Sequence, residues 1–410
     1  MPATPPGASD TVIIVGAGIA GVRAALSLRD AGFEGRIKLL SDEPHPPYDR
    51  PPLSKAVLTN DGSEARIGLD PKGQLSACGV ELSLSARCVS IDPDVRTIEL
   101  ASGDRLSYDR LILATGSSVR VLDALPYGTP GVHYLRYLHD AITLRNAAGT
   151  PCRVVVVGAG VIGLEVASSL VGRGHQVTII DPASRVMERS ASPPLSHLLL
   201  RRHRREGVDI RLKTTISRTE RMADGFVFHL SDGTQVAADQ VVIGVGVTAN
   251  TSLASEANLE VAAGGIVVDA NGRTSNPFIY AAGEVTFHMN AGLGRYDRQE
   301  TWAHAAMHGE HVARAIMGAT DEYREPGSYW TDQYDINVQV IGCPIGDEDL
   351  VRGRLDQESA IIFHVVDSSI AGVTAINAVR DMRTARKLVG RKSIDFAALT
   401  DDAVDLKVLV

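Results

Sequence analysis

The sequence predicts an α/β protein that uses one dinucleotide-binding plan twice and then closes with a C-terminal α+β domain containing an antiparallel sheet. Three observations carry that expectation. Two Gly-x-Gly-x-x-Gly turns occur, Gly16-Ala17-Gly18-Ile19-Ala20-Gly21 and Gly158-Ala159-Gly160-Val161-Ile162-Gly163. Each follows an apolar run and opens a helical pattern. From residue 323 onward the pattern changes to strict alternation, as in "NVQVIG" and "AIIFHVV", the period of strands with one buried face.

The first strand of the first copy is Val12–Val15, and its second, Ile37–Leu40, ends at Asp42. The second copy, residues 153–181, repeats the order and ends at Asp181. The glycines have separate mechanical roles. The first permits the tight turn, the second lets a pyrophosphate approach the backbone, and the third lets helix and strand pack closely. The pyrophosphate then meets the free N–H groups of the helix N-terminus, and the acid accepts from a ribose hydroxyl. One such turn is weak evidence, and turns that merely pack helix on strand compete with it. Both copies here stand in the full strand–turn–helix–strand–acid context that the motif requires. Downstream, residues 97–116 and 227–246 also share a layout, so whole Rossmann-like domains are repeated. Two dinucleotide sites in one chain imply two dinucleotides that react together, a flavin and a nicotinamide being the obvious pair.

Bulk properties narrow the function. At 410 residues the chain exceeds one ordinary core, so two or three domains are expected. Its 44% hydrophobic and 22% charged residues are those of a globular protein. A net charge of −8 argues against nucleic-acid binding. The longest apolar run, Val154 to Leu164, is broken by glycines and too short to span a membrane. The start, "MPATPPGASD", lacks the basic and apolar regions of a signal peptide and is expected to be a disordered leader. Cys78, Cys88, Cys152 and Cys343 form no C-x-x-C or metal-like spacing. They are expected to be reduced thiols of a cytoplasmic protein that holds no metal of its own.

Further segments, in order, resemble those of the NADH-dependent ferredoxin reductases of bacterial oxygenase systems, the putidaredoxin reductase / biphenyl dioxygenase ferredoxin reductase family. They are "PYDRPPLSK" (47–55), "LILATGS" (111–117), "VVVVGAGVIGLEVA" (154–167), "TSNPFIYAAGEV" (274–285), "ETWAHA" (300–305) and "YWTDQY" (329–334). The similarity runs from about residue 10 to about 405. It implies a glutathione-reductase-like flavoprotein with FAD at the first turn and NADH at the second. On that pattern FAD meets Gly16, Gly18, Ala20, Gly21, Asp42, Arg50, Lys55, Val89, Ala114, Thr115, Gly116, Arg136, Glu284 and Trp302. NADH meets Gly158, Gly160, Ile162, Gly163, Asp181 and Gly246. The implied layout is an FAD-binding domain at 10–118 and 249–322, an NAD-binding domain at 119–248, and a C-terminal domain at 323–410. One departure stands out: the family has Asp where this chain has Glu284, one methylene longer.

The stretch "PPYDRPPLSKAVL", residues 46–58, separates two kinds of flavin chemistry. Related disulfide reductases carry redox cysteines here, whereas no cysteine lies between residues 1 and 77. Prolines instead stiffen the backbone ahead of Lys55. The resemblance places Lys55 near the flavin N5–C4 edge, where its charge would stabilise electron density on the ring. It also pairs Lys55 with Glu165; these two are the expected catalytic residues. Asp181 favours NADH, because a carboxylate accepts from the 2′-hydroxyl and repels a 2′-phosphate. Arg185, four residues on, leaves the strictness of that preference open.

The implied acceptor is an external, acidic [2Fe–2S] ferredoxin feeding a Rieske-type ring-hydroxylating dioxygenase or a cytochrome P450; Glu300-Thr301-Trp302 resembles the dioxygenase type. Residues 380–392 hold six basic side chains and one acid. If helical, Arg380, Arg383 and Arg386 or Lys387 share a face that steers a ferredoxin or is simply solvated. Arg295 and Arg298 are weaker candidates. His304, His308 and His311 have metal-like spacing on a helix, with packing as the alternative. Two other functions remain open: an NADH oxidase or quinone-type reductase with a small acceptor, and a redox-sensing nucleotide binder like apoptosis-inducing factor.

Overall fold

The computed structural model describes residues 4–392 and 394–410. The first three residues of the expected leader lie outside them. The rest of that segment is held: Pro6 is buried, and the Thr4 carbonyl accepts from the Arg110 guanidinium.

The chain divides into two compact units. One holds the residues up to Asp49, with Ala65–Ser118 and Val247–Gly327; the other holds Arg50–Glu64, Val119–Gly246 and Ser328–Val410. In the first, five parallel strands lie in the order Ile279–Ala281, Arg110–Leu113, Thr11–Val15, Arg36–Leu40, Val80–Ser83. Alternation along Thr11–Val15 serves two cores. Val12 and Ile14 pack with the helix Ile19–Asp30 and with Val312 and Ile316 of the helix Trp302–Ile316. Ile13 and Val15 pack with Ile91, Ile98 and Leu100. These last lie on the antiparallel strands Cys88–Asp92 and Thr97–Leu100. Both faces are covered, which is why the strand reads as a continuous apolar run.

The second unit repeats the plan. Its parallel sheet runs Asp209–Arg211, Gln176–Ile180, Arg153–Val157, Gln240–Ile243, Val132–Tyr134. Its three-stranded antiparallel addition is Ile216–Met222, Gly225–Leu230, Gln235–Ala238. The fifth parallel strand comes from different places in the two copies: after the antiparallel strands in the first, before the glycine turn in the second.

The unit also contains the expected antiparallel C-terminal sheet. Its order is Ser328–Gln333, Ile336–Gly342, Ser369–Ile376, Ser359–Val366, Glu348–Arg354. The helix Val379–Ala385 packs Met382 and Ala385 onto it. Arg202 ties this sheet to the Pro193–Arg205 helix through Glu358 at 2.8 Å.

The proline-rich stretch belongs to this unit. Pro51–Ser54 forms a 3-10 turn, with proline at the first helical positions where no N–H is required, and Ala56–Thr59 a helical turn. Buried Arg145 donates to the carbonyls of Val57 (3.2 Å) and Asn60 (3.3 Å) and pairs with Glu64 at 3.0 Å. Arg173 donates to the Leu58 carbonyl at 2.9 Å. Among the described residues, no helix is long and apolar enough to cross a membrane.

Candidate functional site

The first glycine turn is built as its sequence requires. Gly16 has φ +111°, and a Cβ there would sit 2.2 Å from the Ala114 carbonyl oxygen, so no other residue fits. A Cβ on Gly21 would lie 1.9 Å from the Gly16 carbonyl. A Cβ on Gly18, by contrast, would meet nothing within 4 Å. That open space lies at the N-terminus of a helix without a side-chain cap, whose first-turn N–H groups are therefore available. A pyrophosphate fits this donor set. Buried Ala20 completes the turn.

Around it, the strand end Ala114-Thr115-Gly116 is pinned by Asn250. The Asn250 amide donates to the Thr115 carbonyl (2.9 Å), and the Thr115 hydroxyl donates to the Asn250 carbonyl (2.8 Å). Gly116 has φ +62°. Asp42 is exposed, with no hydrogen bond or ion pair among the described residues, leaving its carboxylate free to accept. Val89 is 40% exposed and lies at a bulge between Cys88 and Ser90, so its main chain falls outside the ladder. Glu284 is half-buried and follows Gly283, whose φ is +81°. The Trp302 indole N–H donates to Asp49 at 2.7 Å. Burial raises the Asp49 carboxyl above its usual range, with that hydrogen bond opposing.

The second turn has nearly the same geometry. Gly158 has φ +111°, and its Cβ would sit 2.4 Å from the Gly244 carbonyl oxygen. Gly163 would meet the Gly158 carbonyl at 2.0 Å, and Gly160 again faces open space. Ile162 is 43% exposed. Asp181 differs from Asp42: its two oxygens accept from the backbone N–H groups of Ala159 (2.6 Å) and Ala183 (2.7 Å). The acid therefore fastens the glycine turn to the end of its strand. Gly246, φ +101°, accepts from Arg120 N at 3.0 Å.

Lys55 and Glu165 form an ion pair at 2.9 Å. Glu165 is only 2% exposed and lies on the helix Val161–Val171. Its other partners were invisible in the sequence: the hydroxyls of Ser54 and, at 2.7 Å, Thr331. A buried carboxylate needs this many donors. The Lys55 ammonium also donates to the Pro51 carbonyl at 3.2 Å. Only the "YWTDQY" segment hinted at Thr331. The same segment supplies Tyr329, whose hydroxyl donates to the Ser190 carbonyl and is pushed up by burial. Arg50 donates to the Arg136 carbonyl at 2.6 Å and stacks over Tyr137, while Asp140 accepts from the Arg136 N–H at 3.0 Å.

His304, His308 and His311 are helical and buried, and each uses one ring nitrogen, on Tyr323, Gly283 and Ala270 respectively. Among the described residues, no group of histidine, cysteine and carboxylate side chains is arranged to hold a metal. All four cysteines are free, and burial pushes the Cys88 thiol up to about 11. Of the basic segment, Arg380, Arg383 and Lys387 are exposed and form no ion pair among the described residues.

The chain matches the model of the pyridine nucleotide-disulphide oxidoreductase family over residues 10–309 and a reductase C-terminal domain model over 328–410. A ferredoxin reductase for the CYP199A2 system from Rhodopseudomonas palustris is 36% identical, with a TM-score of 0.93, covering 98% of this chain and 100% of that one. Putidaredoxin reductase, in its covalent complex with putidaredoxin, is 33% identical with a TM-score of 0.93, covering 98% of each chain. A protein named Fdr9 is 31% identical with a TM-score of 0.85, covering 97% of this chain and 99% of that one.

Proposed function

Because the chain belongs to the pyridine nucleotide-disulphide oxidoreductase family, we propose that it is an FAD-dependent NADH:ferredoxin reductase. Its electrons pass to a [2Fe–2S] ferredoxin that feeds a cytochrome P450 or a ring-hydroxylating dioxygenase. The observation that carries this reading is the ion pair, at 2.9 Å, between buried Glu165 and Lys55, which lies in the stretch where a disulfide reductase needs cysteines. No thiol precedes Cys78, so electrons have no disulfide to leave through on this stretch. The similarity to the ferredoxin reductase of the CYP199A2 system and to putidaredoxin reductase, both above 30% identity, supports a protein acceptor over oxygen or a quinone.

When bound, FAD supplies the conversion of a two-electron hydride into single electrons. The chain's own residues bind and orient. The Gly16–Gly21 turn would hold the flavin dinucleotide's pyrophosphate, with Asp42 at its ribose and Val89, Ala114, Thr115, Gly116, Glu284 and Trp302 along the rest. Gly158, Gly160, Ile162, Gly163 and Gly246 would hold NADH, and Asp181 would favour it over NADPH. Arg50 and Arg136 support the flavin side, and Glu165 keeps the Lys55 ammonium oriented. The three-domain layout, with FAD at 10–118 and 249–322, NAD at 119–248 and the C-terminal domain at 323–410, follows from these roles. The unpaired Arg380, Arg383 and Lys387 suit an acidic ferredoxin. Four free thiols fit a cytoplasmic location.

The test is anaerobic reduction by NADH, followed by mixing with a [2Fe–2S] ferredoxin, oxygen or a quinone. Rapid ferredoxin reduction with slow oxygen consumption is expected. Fast turnover with oxygen or quinone and none with ferredoxin would replace this reading with the oxidase one. A stable reduced complex that reduces nothing would favour the redox sensor.

A further inference from the structure

We propose that His308 is a positioning residue: its ring fixes the Gly283–Glu284 turn against the first glycine turn and so sets how tightly the dinucleotide there is held. This rests on the reading of that turn as the FAD cradle. The strand Ile279–Ala281 is parallel to Arg110–Leu113, and Ala282 N still donates to the Leu113 carbonyl at 3.0 Å. Gly283 and Glu284 therefore leave the sheet at the carboxyl ends of its strands, the edge where parallel sheets bind ligands. The packing there is very close. A Cβ on Gly283 would come 2.8 Å from the Ala20 Cβ, and one on Gly309 would come 2.3 Å from the Ala20 carbonyl oxygen.

At this junction the buried Gly283 N–H has one acceptor, His308 Nδ1 at 3.2 Å. A ring that accepts at Nδ1 carries its proton at Nε2, so the neutral tautomer is set by the main chain. The ring is fully buried and held by its neighbours. It stacks on His304 at 4.9 Å between centroids, tilts against His288 at 5.2 Å and meets Tyr323 at 4.8 Å. His304 in turn is fixed by Tyr323 at 3.0 Å. His308 cannot rotate away from Gly283 without disturbing three aromatic neighbours. The helix Trp302–Ile316 thus delivers Trp302 at its start and, two turns on, the acceptor that orients the peptide just before Glu284.

The experiment compares His308→Leu, His308→Asn and His288→Phe in the full chain, reading FAD dissociation constants and the visible circular dichroism of the bound flavin. Leucine fills space but accepts nothing, so affinity falls about tenfold and the dichroism changes. Asparagine carries its amide oxygen where the ring carries Nδ1, so it restores the acceptor and brings affinity to within about twofold. His288→Phe removes an equally buried ring that makes no hydrogen bond to Gly283. It lowers the melting temperature while FAD affinity stays within about twofold. Should the leucine variant not fold, His308→Phe takes its place, because its ring fills the site and offers Gly283 no acceptor. Wild-type affinity in His308→Leu, or equal weakening in all variants, overturns the proposal. A wild-type protein that takes up no FAD overturns the reading beneath it instead.

Discussion

The two glycine turns share one backbone and differ in what covers them. Both first glycines have φ +111°, both third glycines touch the first glycine's carbonyl, and both second glycines face open space. Over the first turn, Gly283 and Gly309 press so closely on Ala20 that neither tolerates a side chain. At the matching position of the second turn, Ile162 is 43% exposed. One cradle is roofed by its own chain and the other is left open. A roofed cradle suits a cofactor that stays, and an open one suits a substrate that must leave each turnover. That difference supports FAD at the first turn and NADH at the second, an assignment the matched glycines cannot make.

The largest expected effects come from filling the open spaces. Gly18→Val and Gly160→Val should both fold, since each new side chain starts in free volume. Each would then occupy the place of a pyrophosphate. Gly18→Val should weaken FAD binding about a hundredfold and yield colourless protein. Gly160→Val should stay yellow while its KM for NADH rises to a similar degree. The same purification and titration read both. Loss of flavin from the second variant alone would invert the comparison.

The repeat was legible because its signals are local: three glycines whose Cβ atoms would collide and an apolar run buried on both faces. Lys55 was legible through the missing cysteines. What could not be read was long-range. Ser54 and Thr331 reach Glu165 from segments 111 and 166 residues away, and although both lie in marked segments, nothing local ties either hydroxyl to Glu165. Arg145 and Arg173, which anchor the proline-rich stretch, look like ordinary surface helix residues in the sequence. The bulge at Val89 follows from register with Leu100 and Glu99, which alternation alone does not specify. The histidines at 304, 308 and 311 gave the right helix face, but their partners Tyr323 and Gly283 come from elsewhere.

The helices after the two turns diverge two residues past the third glycine, and that divergence gives the next test. Arg23 there is 45% exposed and pairs with Glu310 at 3.4 Å, an arrangement worth about 0–1 kcal/mol. Glu165 is 2% exposed and holds Lys55. Lys55→Ala should leave FAD bound, since Ser54 and Thr331 still satisfy Glu165, yet slow flavin reduction by NADH about tenfold or more. Arg23→Ala should change neither. Stopped-flow reduction that is unchanged in Lys55→Ala would reduce the pair to a structural tie.

The smallest effects separate the two acids. Asp181 holds two backbone N–H groups, so Asp181→Ala should lower the melting temperature as well as narrow the NADH:NADPH ratio of kcat/KM about tenfold. Asp42 is exposed and holds nothing among the described residues, so Asp42→Ala should change stability by less than about 0.5 kcal/mol and weaken FAD only about fivefold. Thermal melts of the two apoproteins distinguish the roles directly. Equal destabilisation would mean that Asp42 also fastens its turn, and the free carboxylate left for a ribose would then belong to neither copy.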